Sequence, residues 1–143
     1  MKKPLVFGIV FLVLMIGSAY ATLRISRTVA GPGPDSQVFT GYLVCQSCAT
    51  AKDGMAADGV NVRQHPELHT TKCLRMPSCV ASGFGIFVRI RGGAYSYYKF
   101  DRRGSDLAYQ SVVLKTVRLD HVRVAVTGRA QQQTLTVRDI VEK

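Results

Sequence analysis

The chain has 143 residues and a formal charge of +10, from 19 Lys and Arg against 9 Asp and Glu. That length accommodates one ordinary domain with one compact core and excludes a multidomain array. The charge favours anionic partners: an acidic protein, an anionic lipid surface or nucleic acid.

The opening MKKPLVFGIVFLVLMIGSAYA puts Lys2 and Lys3 before an uncharged apolar run from Leu5 to Ile16 and closes on the small-x-small triplet Ala19-Tyr20-Ala21. That is the layout of a signal peptide. No charge interrupts the stretch from Pro4 to Leu23, about the roughly 20 residues an apolar helix needs to span a bilayer, so an uncleaved transmembrane anchor fits equally well. Cleaved or retained, residues 1–21 send the remainder of the chain to the periplasm or the outer face of the cytoplasmic membrane, because Lys2 and Lys3 stay inside. Cleavage removes two lysines and no acid, so the charge falls from +10 to +8. Export also makes nucleic acid the weakest of the anionic partners. Residues 22–37, TLRISRTVAGPGPDSQ, carry Gly-Pro-Gly-Pro and no apolar periodicity, as a flexible linker does.

The domain is expected over residues 38–143. VFTGYLVC, from Val38 to Cys45, reads as a first strand with a bend or bulge at Gly41. Residues 45–83 then form a Cys-rich insertion of little strand character, with turn signals at Asp53-Gly54 and Asp58-Gly59. So long a connection is either functional or internally stapled. FGIFVRIRGGAYSYYKFD predicts two strands joined at Gly92-Gly93, since tight hairpin turns need positive φ values. The spacing of Leu107, Val112, Val113 and Leu114 predicts one short helix over 106–117, capped by Ser105 or Asp106. Alternation of Val122, Val124 and Val126, then Leu135, Val137 and Ile140 across a polar turn, predicts a closing hairpin. The sum is a mainly β domain: a small five-stranded OB-like Greek-key barrel with one short helix and a Cys-rich insertion, preceded by an N-terminal apolar helix.

The pieces GYLVCQSC, HTTKCLRMPSC with VASGFGI, YYKFDRRGSDLA and VRVAVTGRAQQQTLTVRDI resemble a group of small exported bacterial proteins of uncharacterised function. The most specific part is the HTxxC…C…SGFG motif. The resemblance implies an exported small β-barrel and no established enzymatic activity; the chain departs from the group at Cys45, where an acidic residue is common.

Two histidines and two cysteines fall within the fifteen residues HPELHTTKCLRMPSC. Four cysteines in an exported domain suit two disulfides among Cys45, Cys48, Cys73 and Cys79, with three alternative pairings. Thiolate and imidazole donors also suit zinc or copper. A helical turn starting at Pro66 would put His69 and Cys73 four apart on one face, beside the pair Cys45-x-x-Cys48, with Cys79 as a further ligand. A thiol-redox pair at Cys45-x-x-Cys48 is the third option, although no thioredoxin-like βαβ pattern follows it. CQSC lacks the histidine that covalent haem attachment needs, and no phosphate loop, nucleophile elbow or catalytic carboxylate pair is present. Finally, Phe87, Arg89 and Arg91 beside Tyr95, Tyr97 and Lys99 form a candidate ligand-binding face of aromatic and basic side chains. The function expected from these features is a non-enzymatic cell-envelope binding module, an accessory subunit of a membrane-associated complex. The alternative is a periplasmic metal-binding or thiol-redox protein using the Cys/His cluster.

Overall fold

The computed structural model describes residues 35–143. The expected N-terminal helix, and the expected linker as far as Pro34, lie outside the described residues. Among the described residues no helix is long and apolar enough to cross a membrane.

The described chain is mainly β, with five strands and a few short helices. The strands are β1 (Gln37–Cys45), β2 (Phe84–Arg89), β3 (Tyr95–Phe100), β4 (Arg123–Gln131) and β5 (Thr134–Glu142). They close into a barrel in the order β1-β2-β3-β5-β4. Every pairing is antiparallel except the short parallel β3–β5 contact, Lys99 to Thr134 and Phe100 to Leu135. Closure leaves no strand of the five with a free edge along its whole length, so backbone donors and acceptors are consumed internally.

Directly opposed residues share a face. Leu43 pairs with Ile86, Ile86 with Tyr98, and Phe39 with Val126. Leu43, Ile86 and Val126, with Val124, Leu135, Val137 and Ile140, fill the core, and Phe39 and Tyr98 pack against it half-buried. Leu135 and Val137 point inward with Ile140 despite an odd spacing because the β4–β5 register shifts at Thr127/Gly128, leaving Arg138 unpaired in the ladder. The β2–β3 turn is where it was expected, with φ of 88° at Gly92 and 86° at Gly93.

The helix between β3 and β4 begins earlier than the apolar spacing predicts. Helix α4 (Arg102–Ala108) continues as a π-turn over Tyr109–Val113, and its cap is Asp101, whose Oδ1 accepts from Gly104 N at 3.0 Å. A Cβ at Gly104 would collide with the Val137 side chain, so the glycine that weakens the helical signal is what lets the helix lie close on β5.

The insertion is more ordered than its composition suggests. It contains α1 (Gln46–Ala49), a 3-10 turn (Pro66–Leu68), α2 (Thr71–Leu74) and α3 (Pro77–Ser82). Its two ends are tied by Gln46 N donating to Gly83 O at 2.9 Å, and the Gln46 side-chain amide donates to the carbonyls of Phe84 and Phe100. His69 and Cys73 do not share a helical face. His69 is an extended residue between the 3-10 turn and α2, and Thr70 caps α2 by accepting from Cys73 N.

Candidate metal centre

Five donors meet inside the insertion. Cys45 is the last residue of β1, Cys48 lies in α1, His69 precedes α2, Cys73 lies in α2 and Cys79 in α3. All five are at most 6% exposed. Pro77 at the start of α3 fixes φ where a helix begins, which directs Cys79 inward two residues later.

The sulfur separations are informative. Cys48 Sγ lies 3.9 Å from both Cys73 Sγ and Cys79 Sγ, and Cys73 Sγ lies 3.8 Å from Cys79 Sγ. These three form a nearly equilateral triangle. Zinc–thiolate bonds of about 2.3 Å in a tetrahedron place sulfurs about 3.8 Å apart, so the triangle has the size of one tetrahedral face. Cys45 Sγ lies 2.8 Å from Cys79 Sγ, too close for both to ligate the same tetrahedral ion. None of the sulfur pairs is at the roughly 2.05 Å of a disulfide, and all four cysteines are free thiols. No pair among the expected disulfide cysteines is at bonding distance, and the four sulfurs converge on one volume.

His69 offers a nitrogen donor beside two of these three sulfurs. A His69 ring nitrogen lies within 4.8 Å of the Cys48 and Cys73 sulfurs. Its Nδ1 lies 3.1 Å from Asp58 Oδ2, obliquely enough that neither ring nitrogen has an aligned hydrogen-bond partner. A buried imidazole with one oblique carboxylate contact and no aligned hydrogen bond is costly unless something else binds it. Asp58 is held in turn by Thr70, whose N–H and hydroxyl both donate to Oδ2 at 2.9 Å, and by Val60 N on Oδ1. The Asp58-Gly59 turn, with Gly59 at φ 82°, brings that carboxylate back to the cluster.

The thiols differ in their tendency to ionise. Cys48 is pulled down to about 5, first by the hydrogen bond from the Cys45 thiol, then by the Ala57 amide and the nearby imidazole. Cys45 is pushed up, first by the neighbouring Cys48 sulfur and next by burial, while its thiol donates to Cys79 Sγ. Burial pushes Cys73 and Cys79 up, and the Cys48 charge adds to it. Burial pulls His69 down against the opposing pull of Asp58, which favours the neutral ring. Burial acts to raise Asp58, but the Thr70 hydrogen bonds and the imidazole outweigh it and hold Asp58 below the usual carboxylate range. One thiolate and one neutral imidazole is a state ready to accept a cation.

All five sequence-predicted metal residues come together here. Asp58 escaped notice because a carboxylate in an Asp-Gly pair reads as a turn residue; its signal was the turn's return toward Thr70. His65 and His121 lie apart from the cluster and pair with Glu67 and Asp120 at 3.1 and 2.7 Å. Cys73 and Asp58 reach the wall of an open groove of about 930 Å³, whose other side is the segment Thr116–Leu119.

The aromatic and basic face divides. Phe87 is buried among the rings of Tyr95 and Tyr97, so it is not free to stack on a ligand as expected. Arg91 lies in the β2–β3 turn, beyond the end of the strand. Arg89 and Tyr95 line a small hollow of about 170 Å³ with Tyr42 and Arg123, two residues the sequence did not single out. Tyr97 and Lys99 line a separate depression with Thr50 and Gln132–Thr134.

Comparison with family models, with curated proteins and with solved structures gives no match to this chain.

Proposed function

We propose that this chain is a non-enzymatic binding module of the cell envelope: an OB-like Greek-key barrel whose insertion is organised by one zinc ion held by Cys48, Cys73, Cys79 and His69. The observation that carries it is the triangle of sulfurs at 3.8 to 3.9 Å beside a buried histidine with no aligned partner. Four protein donors fill a tetrahedron and leave no seat for water or substrate, which is the pattern of a structural site. The metal then ties α1, the extended link, α2 and α3 into one cap.

The strand order β1-β2-β3-β5-β4 with a helix between β3 and β4 supports the OB-like assignment. The apolar run at the N-terminus and the resemblance to small exported proteins support the envelope location and the role of accessory subunit in a membrane-associated complex. The net charge of +10, and the Arg89 and Arg123 side chains around the Tyr42 and Tyr95 rings, favour an acidic protein or anionic lipid partner over a neutral one.

The test is mass spectrometry and elemental analysis on protein isolated without chelator from the envelope fraction. One zinc per chain in the native spectrum, and four alkylatable thiols after denaturation, are expected. Copper in place of zinc would change the metal and keep the site. Two disulfides with no metal would overturn the reading, as would recovery of the chain only from the cytosol. The same intact mass reports whether residues 1–21 are retained.

A further inference from the structure

With the zinc site proposed above taken as given, five donors surround an ion that seats four. Cys45 is the surplus thiol, and it is pressed against a ligand: its Sγ is 2.8 Å from that of Cys79, whereas the three ligand sulfurs are 3.8 to 3.9 Å apart. A disulfide holds its sulfurs at about 2.05 Å, so Cys45 and Cys79 need to close by about 0.8 Å and the other contacts by about 1.8 Å. The two residues stand at opposite ends of the insertion, where Gln46 N already binds Gly83 O. Cys45 is fixed by its place in β1, opposite Phe84 of β2. Cys79 rides on the six-residue helix α3.

We infer that Cys45 and Cys79 are a redox couple whose oxidation to a disulfide removes a zinc ligand and releases the metal. The oxidant is a small hydroperoxide, since thiols at most 2% exposed exclude a bulky disulfide donor. The Cys79 thiolate and the Cys45 thiol together give up two electrons and form the S–S bond. The peroxide O–O bond breaks, taking the Cys45 proton and one proton from solvent, and leaves as an alcohol and water. Cys48, His69 and Cys73 remain, three donors carrying one thiolate fewer. The surplus thiol thus makes a structural metal conditional on a reducing environment, and reduction by a dithiol followed by zinc restores the cap.

The experiment treats zinc-loaded full-length protein with one equivalent of hydrogen peroxide in the presence of a chromophoric zinc chelator. Disulfides are mapped by peptide mass spectrometry without reduction. One zinc released per disulfide formed, with the bond at Cys45–Cys79, is the expected result. Cys45→Ser should bind one zinc per chain and release it at least ten-fold more slowly under peroxide. A disulfide between other cysteines, or retention of zinc by the Cys45–Cys79 oxidised protein, would overturn the inference. So would a Cys45→Ser protein that releases zinc as fast as the parent. Peptide mapping of the unmodified protein decides the matter even where Cys45→Ser does not fold. Failure of the reduced parent to take up any metal is a different outcome, and it refutes the zinc site itself.

Discussion

Asp58 takes two hydrogen bonds from Thr70 and stands 3.1 Å from His69 Nδ1, so one carboxylate fixes both the cap of α2 and the ring beside the thiols. For the proposed metal it is a positioning residue. A carboxylate behind a ligating histidine orients the ring and raises its basicity, and losing it typically weakens metal binding by roughly 10- to 100-fold. Asp58→Asn keeps an oxygen to accept from Thr70 and loses the charge facing His69. Zinc affinity measured against a competing chelator should fall by about that factor, while the chelated protein melts within a few degrees of the parent. An equal loss in both measurements would mean that Asp58 serves only the turn. Nothing in the residue type pointed to this role. The cysteines and His69 were legible as donors from chemistry alone, but only their placement shows that Cys45 crowds Cys79 and that the other three sulfurs are evenly spaced.

Among the elements, the strands were readable because a period of two survives in the sequence wherever one face is buried. Val122, just before β4, and Val124 and Val126 within it show it directly. Of the helices only the one between β3 and β4 was readable, with its start set four residues too late, for two reasons. α1, α2 and α3 have only four, four and six residues, too short to form without tertiary contacts and caps, so no apolar period announces them. α4 carries a glycine in its interior, which counts against a helix in isolation and is required by the approach of Val137. Its cap has a second duty, since Asp101 Oδ1 also accepts from Val137 N at 3.2 Å. Asp101→Ala should therefore cost roughly 1–2 kcal/mol or somewhat more, on the order of 5–10 °C in Tm, by leaving both donors without an acceptor. Asp101→Asn, which retains the oxygen, should recover most of the loss in the same thermal melt. If both variants melt with the parent, the cap does not hold helix to barrel.

At the scale of the whole molecule, a closed barrel of five short strands has a small core, and the insertion adds Val62, Leu74 and the thiol cluster to it. The buried ionisable groups then set how stability depends on pH once metal is removed. Cys48 is the first case: its ordinary value is 9.0 and the fold holds it at about 5, so below pH 9 the unfolded chain carries a proton there that the folded chain does not. Stability falls as pH falls across that interval. His69, pulled down from 6.5, acts with the same sign as Cys48, since the unfolded chain gains its proton first, from pH 6.5 downward, and Asp58, pulled down from 3.8, extends the loss into acid. On the other side Cys45, Cys73 and Cys79 are pushed up from 9.0, so above pH 9 the unfolded chain loses protons that the fold retains, and stability falls as pH rises. The chelated protein should be most stable near pH 9 and less so on both sides, as read from urea midpoints at a series of pH values in EDTA. Zinc held as proposed should change the alkaline limb in particular, because a bound cation would keep Cys73 and Cys79 ionised in the fold and abolish their cost. A chelated protein that instead gains stability steadily from pH 9 to pH 5 would show that the thiol at Cys48 keeps its proton, and that the cluster is not charged for a cation.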